Sequence, residues 1–161
     1  MDIGASAVMG DLEGGRFGSG IPRHLVARLD AIAQVMEVPA RSVLLHEGEE
    51  TTRVGVVLEG RLVLTERIPG RGPVTLLTVE RGDVFGWSAL LPPFRATSTV
   101  TSVEPSRIAT LPGPALRGAL RSDPELAAAV YREMFDAVAR RLMATRHQLL
   151  DVYRLETYEP W

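Results

Sequence analysis

The chain has 161 residues, 45% of them hydrophobic, and a formal net charge of −2, which fits one compact domain with a buried core. This charge balance excludes a strongly basic nucleic-acid surface and an acidic disordered chain, and the lack of cysteine excludes disulfides, thiolate metal sites and cysteine nucleophiles. We expect a soluble, cytoplasmic protein, because the sequence shows neither a basic segment before an apolar run nor a membrane-spanning stretch.

A flexible tail is predicted for residues 1–20, which contain six glycines together with serine and acidic residues. A helix is predicted to begin at Pro22, because proline is favoured at a helix start and apolar residues follow at spacings of three and four. Those apolar residues are Leu25, Leu29, Ile32, Ala33 and Met36.

Short strands are predicted between this helix and Leu111. Apolar and β-branched residues are concentrated in segments 43–45, 54–58, 62–65, 74–79, 97–103 and 108–111. Glycine, proline and acidic residues separate these segments, and the sequence from Pro69 to Pro73 predicts a hairpin tip. Several short strands with such turns indicate an antiparallel sandwich or barrel.

Two helices are predicted after Pro114. Residues 115–120 form a short one, and Asp123 and Pro124 provide the N-cap and first residue of a longer one. The longer helix can run for about thirty residues, because no glycine or proline interrupts it before Pro160. We therefore divide the chain into the tail at 1–20, a strand-rich domain with the N-terminal helix at 21–122, and the long dimerisation helix with an aromatic tail at 123–161.

The long helix carries residues at alternating spacings of four and three, the a and d pattern of a coiled coil. The residues of this seam are Tyr131, Phe135, Val138, Leu142, Thr145, Leu149 and Val152. A helix that packed only on its own domain would show a wider stripe, so the seam favours pairing with a second copy in a homodimer. The alternative is that the first half packs on the strand-rich domain and only the rest pairs.

A candidate anion site lies in residues 81–97, which we call the cassette. It contains a Gly-Asp turn at Gly82, a second glycine at Gly86, the start of a short helix, and Arg95 after a Pro-Pro break. Free backbone N–H groups at a helix start and the fork of an arginine both suit a phosphate group.

The order of these segments resembles the cyclic-nucleotide-binding domain family over about residues 22–153. The matching positions are Gly48 with Glu49, Leu58 to Gly60, Gly82 to Gly86, and Arg95 to Thr97. The resemblance implies a mainly β fold with flanking helices, an antiparallel β-roll or jelly-roll barrel followed by a long C-terminal helix. It also implies a ligand site formed by Gly86, Trp87, Ser88, Ala89, Arg95, Ala96 and Thr97.

One position departs from the family pattern, because Trp87 stands where a glutamate normally accepts a hydrogen bond from the ribose 2′-hydroxyl. An indole offers only an N–H donor and an apolar plate, so binding of cyclic AMP or cyclic GMP in the usual manner is not expected. A small anionic ligand held by Arg95 is the first interpretation. The alternative is a ligand-free dimerisation or docking module whose pocket is filled by Trp87.

Thr145 has two interpretations. The sequence around it resembles the segment of catabolite-activator-type proteins in which a threonine reaches the purine across the dimer interface, which makes it a candidate ligand contact. Within a coiled-coil seam a threonine is otherwise a packing residue. The arginines of the same helix are interpreted as a solvated face, and they are Arg140, Arg141, Arg146 and Arg154.

No catalytic or metal site is predicted. The three histidines, His24, His46 and His147, fall in three different elements, and the sequence has no nucleophile elbow. Residues 153–161 are too few for a helix-turn-helix, so we expect no direct sequence-specific DNA binding. We also expect no membrane contact, because the sequence contains no membrane-spanning stretch. We therefore expect a non-catalytic regulatory domain without a cofactor, acting on an unidentified protein partner, with a cyclic nucleotide as one candidate ligand.

Overall fold

The computed structural model describes residues 16–156 of the chain. Strands dominate the first two thirds of this range and helices the last third. In chain order the elements are α1 Arg23–Asp30, β1 Gln34–Val38, β2 Val43–Leu45, β3 Arg53–Glu59, β4 Leu62–Ile68, β5 Gly72–Val79, β6 Val84–Phe85, a 3-10 helix Trp87–Leu90, β7 Thr99–Ser102, β8 Ser106–Pro112, α2 Gly113–Ser122 and α3 Pro124–Glu156.

The strands form two four-stranded sheets whose neighbours all run antiparallel. The strand order is β1-β8-β3-β6 in one sheet and β2-β7-β4-β5 in the other. Strands that are distant in sequence, such as β1 and β8, therefore become neighbours. This arrangement, with its flanking helices and the long helix α3 at the end, confirms the predicted fold class.

Two apolar clusters form the core, one on each face of β3. Val54, Val56 and Leu58 belong to a cluster that also contains residues of α1, α2 and α3. Val57 belongs to a second cluster, whose residues come from both sheets. Because side chains alternate between the two faces of a strand, β3 is covered on both sides. This explains why an unbroken apolar run, rather than an alternating pattern, marks this strand in the sequence.

The N-terminal helix ends earlier than predicted. α1 stops at Asp30, and Met36, which the spacing placed in the helix, lies in β1 opposite Ile108 of β8. Strand β1 forms by pairing with a strand about seventy positions away, and local spacing does not report such a contact. The two-residue strand β6 was likewise not predicted, because it forms only by pairing with β3.

Residues 16–20, at the end of the segment predicted as a tail, contact the rest of the domain. Phe17 is 1% exposed, and its N–H donates to the carbonyl of Gly82 at 2.7 Å. The N–H of Gly18 donates to Oε2 of Glu133 in α3 at 2.9 Å. Residues 1–15 and 157–161, which include the rest of the predicted tail and two aromatic residues near the C-terminus, lie outside the described residues. The domain boundaries stay predictions.

The first half of α3 packs on the sheets and the other helices. Its core-facing residues are Leu126, Val130, Met134 and Ala137. Their spacings of four and three give the stripe expected for a helix that covers a core. Within residues 16–156, no helix is both long enough and apolar enough to cross a membrane.

The predicted N-cap of α3 is confirmed. Oδ1 of Asp123 accepts hydrogen bonds from the N–H groups of Glu125 and Leu126, each at 3.1 Å. Oδ2 of Asp123 pairs with Arg28 of α1. The carboxylate therefore caps α3 and connects it to α1.

We expect Asp123→Ala to lower the free energy of unfolding by about 1–2 kcal/mol, because both cap hydrogen bonds are lost. Urea unfolding followed by circular dichroism measures this change. Asp123→Asn keeps a capping oxygen and loses only the ion pair with Arg28, so we expect it to recover most of the loss. Equal destabilisation by alanine and asparagine would show that the cap is not the source of the stability.

Candidate functional site

A small cavity of about 20 Å³ lies where the cassette meets both sheets and α3. Of the residues predicted to bind a ligand, five line this cavity, and they are Gly86, Trp87, Ser88, Ala96 and Thr97. They come from the two ends of the cassette, on either side of its Pro-Pro break. The fold therefore brings together most of the predicted site, while the role of each residue stays a prediction.

The loop that contains Gly48 and the segment that contains Ala96, both matching positions of the predicted site, are joined by backbone hydrogen bonds. The N–H of Gly48 donates to the carbonyl of Ala96 at 2.8 Å, and the N–H of Ala96 donates to the carbonyl of Glu49 at 2.8 Å. The N–H of Thr51 donates to the carbonyl of Phe94 at 2.7 Å. The loop between β2 and β3 thus pairs with the end of the cassette and forms one wall of the cavity.

Gly86 allows the sharp turn between β6 and the 3-10 helix. Its φ is +74°, a conformation that residues with a Cβ rarely adopt. A Cβ at this position would also lie 2.5 Å from the carbonyl oxygen of Arg53. The turn therefore requires glycine, and it directs Trp87 and Ser88 to the cavity.

Three predicted ligand residues do not line the cavity. Ala89 is fully buried, and its N–H donates to the carbonyl of Gly86 at 3.1 Å. Arg95 is exposed, and its Nη1 donates to the carbonyl of Gly48 at 2.8 Å. Thr145 is exposed, and its hydroxyl donates to the carbonyl of Arg141 at 2.9 Å.

Arg141 lines the cavity, whereas the interpretation of the sequence places it on a solvated face of the long helix. That interpretation was wrong for this residue. Its guanidinium carbon lies 4.8 Å from the centre of the Trp87 ring, within the range of a cation–π contact. Its Nη2 donates to the carbonyl of Val84. Arg141 thereby connects α3 to the cassette.

A helical signal for this placement exists in the sequence. Position 141 continues the core-facing stripe of α3, four residues after Ala137 and seven after Met134. The position in the stripe predicts that the side chain of Arg141 points to the core, whereas its charge predicts that it faces solvent. In the structure the side chain follows the stripe and lines the cavity. No comparable signal marks Thr51, which also lines the cavity.

The Arg141 guanidinium is a cation in a partly desolvated place. Burial lowers the pKa of Arg141 to about 10, an effect that Arg140 strengthens and Asp83 opposes. The group therefore remains protonated at neutral pH. No aspartate or glutamate is among the residues that line the cavity, so the cavity presents positive charge and hydroxyl groups between apolar walls.

The cavity is far smaller than a nucleotide site. Pockets for small molecules usually span about 300–1,000 Å³, whereas about 20 Å³ holds one water-sized group. In the described part of the chain, no three His, Asp or Glu side chains are grouped to hold a metal ion.

The apolar residues of the predicted seam are exposed along α3. Their exposed fractions lie between 41% and 73%, with Phe135 the highest. An apolar groove of about 190 Å³ lies where this face meets the cassette, lined by Trp87, Leu90, Leu91, Tyr131, Met134, Phe135 and Val138. The core-facing stripe and the seam are thus separate faces of one helix.

Comparison with known proteins gives consistent matches. The family model described as "Cyclic nucleotide-binding domain" matches residues 35–123. A CRP-like cAMP-activated global transcriptional regulator of Mycobacterium tuberculosis is 28% identical over 134 residues, which cover 83% of this chain and 58% of that protein. The chain therefore spans little more than half the length of this relative.

Solved structures share the fold. A cyclic nucleotide-binding domain from Methylobacillus flagellatus superposes with a TM-score of 0.79 at 18% identity, covering 97% of this chain and 85% of that one. The N-terminal domain of a transcriptional regulator from Streptomyces coelicolor superposes with a TM-score of 0.66 at 27% identity, covering 86% of this chain and 94% of that one.

Proposed function

This chain belongs to the cyclic nucleotide-binding domain family, and on that premise we propose that it is a non-catalytic regulatory domain. Its ligand is a small anion bound at the cassette cavity, and binding of this ligand changes the position of α3. Arg141 is the observation that supports this proposal most strongly, because it belongs to α3 and lines the cavity beside Gly86 and Ser88. A ligand that contacts this cation acts directly on the long helix.

A cyclic nucleotide or a related phosphate is the first ligand class to test. The relative from Mycobacterium tuberculosis is described as cAMP-activated, and Arg95 adjoins the cavity residue Ala96 in the cassette. A ligand of this size enters only when the side chains of Trp87 and Arg141 move. We therefore propose that such ligands bind weakly to the wild-type chain.

Calorimetric titration with cyclic AMP, cyclic GMP and smaller phosphates tests this function. We expect heat from at least one of them, and Arg95→Ala to weaken that binding about ten- to hundredfold, as for one hydrogen bond to a charged group. Trp87 fluorescence gives a second readout in a Trp161→Phe background. Arg71→Ala is the matched control, because Arg71 is an exposed arginine between β4 and β5. If no phosphate ligand gives heat or a fluorescence change, the cassette is not a phosphate site.

The second candidate function is a ligand-free dimerisation or docking module. Two observations favour it, the small volume of the cavity beside Trp87 and the continuous exposed seam on α3. A chain of this kind pairs through the seam with a second copy whether or not a ligand is present. The homodimer itself is part of both proposals, and so is an unidentified protein partner.

A further inference from the structure

Two buried hydrogen-bond donors at the cavity lack an acceptor. Thr51 is 2% exposed, and neither its Oγ1 nor Nη1 of Arg141 has a hydrogen-bond partner among the described residues. Both residues line the same cavity. Buried polar groups almost always find a partner, and an unpaired one destabilises the folded state. A shared acceptor between the two would satisfy both.

The charges around Arg141 leave it without a carboxylate partner inside the cavity. Asp83 is the acidic residue that most affects it, but Oδ1 of Asp83 lies 3.4 Å from Nη1 of Arg16 and its Oδ2 accepts the N–H of Glu80. Arg140 adds a second positive charge nearby. An acceptor that pairs with Nη1 of Arg141 lies beside this cation, which favours an anion over a neutral group.

We propose that the cavity binds a small monovalent inorganic anion, with a halide as the best-fitting class, between Thr51 and Arg141. This inference rests on the proposed function, because it names the ligand class of the same cavity. A volume of about 20 Å³ suits one monatomic ion. A water molecule suits the volume equally but brings no negative charge to the guanidinium, and it is the outcome against which the proposal is tested.

Binding of the ion connects three parts of the fold. Thr51 belongs to the loop between β2 and β3, Arg141 to α3, and Trp87 to the cassette. An anion that accepts hydrogen bonds from Thr51 and Arg141 holds α3 against the sheets while the indole covers one face of the guanidinium. A nucleotide cannot enter the cavity while the halide is bound, so halide and nucleotide compete for the same site.

Thermal unfolding at constant ionic strength tests the proposal. Sodium chloride or sodium bromide is exchanged for sodium gluconate, whose anion is too large for the cavity. We expect the unfolding midpoint to rise by about 3–6 °C when the halide is present at ten times its dissociation constant. An equal midpoint in halide and gluconate would overturn the proposal in favour of water.

Three variants identify the ion's ligands. Arg141→Met is expected to abolish the halide response, and Thr51→Val, which removes the hydroxyl at constant shape, to weaken halide binding about tenfold. Arg140→Met loses the same charge on the same helix but does not line this cavity, so it should keep most of the halide response of the wild type. A response that survives Arg141→Met, or disappears with Arg140→Met, contradicts the assigned site.

Crystals of the wild-type protein grown in bromide test the same site without any substitution, so this test does not depend on a variant that folds. An anomalous peak between Thr51 and Arg141 is expected, and a cavity without one contradicts the proposal. The halide experiments and the phosphate titrations fail independently. If halide raises the unfolding midpoint but no phosphate binds, only the proposal of a nucleotide or phosphate ligand is refuted. If a phosphate binds but halide has no effect on the midpoint, only the halide proposal is refuted.

Discussion

Replacing Trp87 with glutamate is expected to strengthen the binding of cyclic AMP about ten- to hundredfold, since one hydrogen bond to a charged group contributes about 1.5–3 kcal/mol. The carboxylate restores the acceptor that family members offer to the ribose 2′-hydroxyl. It also removes the indole from the cavity and provides Arg141, now 4.8 Å from that ring, with an anionic partner. The new hydrogen-bond acceptor and the space freed by the indole both favour a nucleotide over the closed arrangement.

Calorimetry of the wild type and the glutamate variant measures the gain. Trp87→Leu is the matched control, because it also enlarges the cavity and provides no acceptor. If leucine and glutamate strengthen binding equally, cavity size rather than the acceptor limits the ligand. If neither variant binds cyclic AMP, the residue at this position does not control entry of a nucleotide.

Replacing Phe135 with glutamate is expected to convert a homodimer into a monomer at micromolar concentration. Phe135 is 73% exposed, so the single chain loses little by the change. In a dimer paired through the seam, two apolar side chains are lost and two charges are placed in an apolar interface. We expect the dimer dissociation constant to rise about hundredfold or more, which corresponds to losing the burial of both phenylalanines.

Light scattering of both proteins at several concentrations measures the mass. Arg140→Glu is the control. This substitution also introduces a glutamate, but position 140 lies on the opposite side of the helix from the seam. Circular dichroism confirms that each variant is folded. A monomeric wild type at micromolar concentration contradicts the seam, and a Phe135→Glu protein that stays dimeric shows that the interface lies elsewhere.

Much of the fold is predictable because its strands have local signals. β3 contains an unbroken apolar run from Val54 to Leu58, and the turn glycine Gly60 directly follows the strand. The cap at Asp123 is equally local, since its hydrogen bonds reach only two and three residues ahead. β1 is different, because residues 34–38 become a strand only through pairing with β8.

The candidate site is predictable only in part. Gly86, Ser88 and Thr97 lie in a short stretch with a recognisable order, and they do line one cavity. Ala89 and Arg95 belong to the same stretch, yet their side chains lie outside the cavity wall. Spacing along the chain identifies a cassette, but the direction of each side chain depends on how the cassette folds against β3 and α2.

The sequence by itself indicated the fold family, the cassette and the cap of α3, because each has a signal in residues close together in the chain. It also indicated the apolar row on α3, where pairing with a second copy stays a prediction. Only the tertiary structure decided what faces the cavity. Arg141 reaches it from more than fifty positions beyond Trp87, since the packing of α3 on the sheets outweighs the tendency of an arginine to face solvent. The charge of the pocket thus comes from a residue that lies outside the cassette.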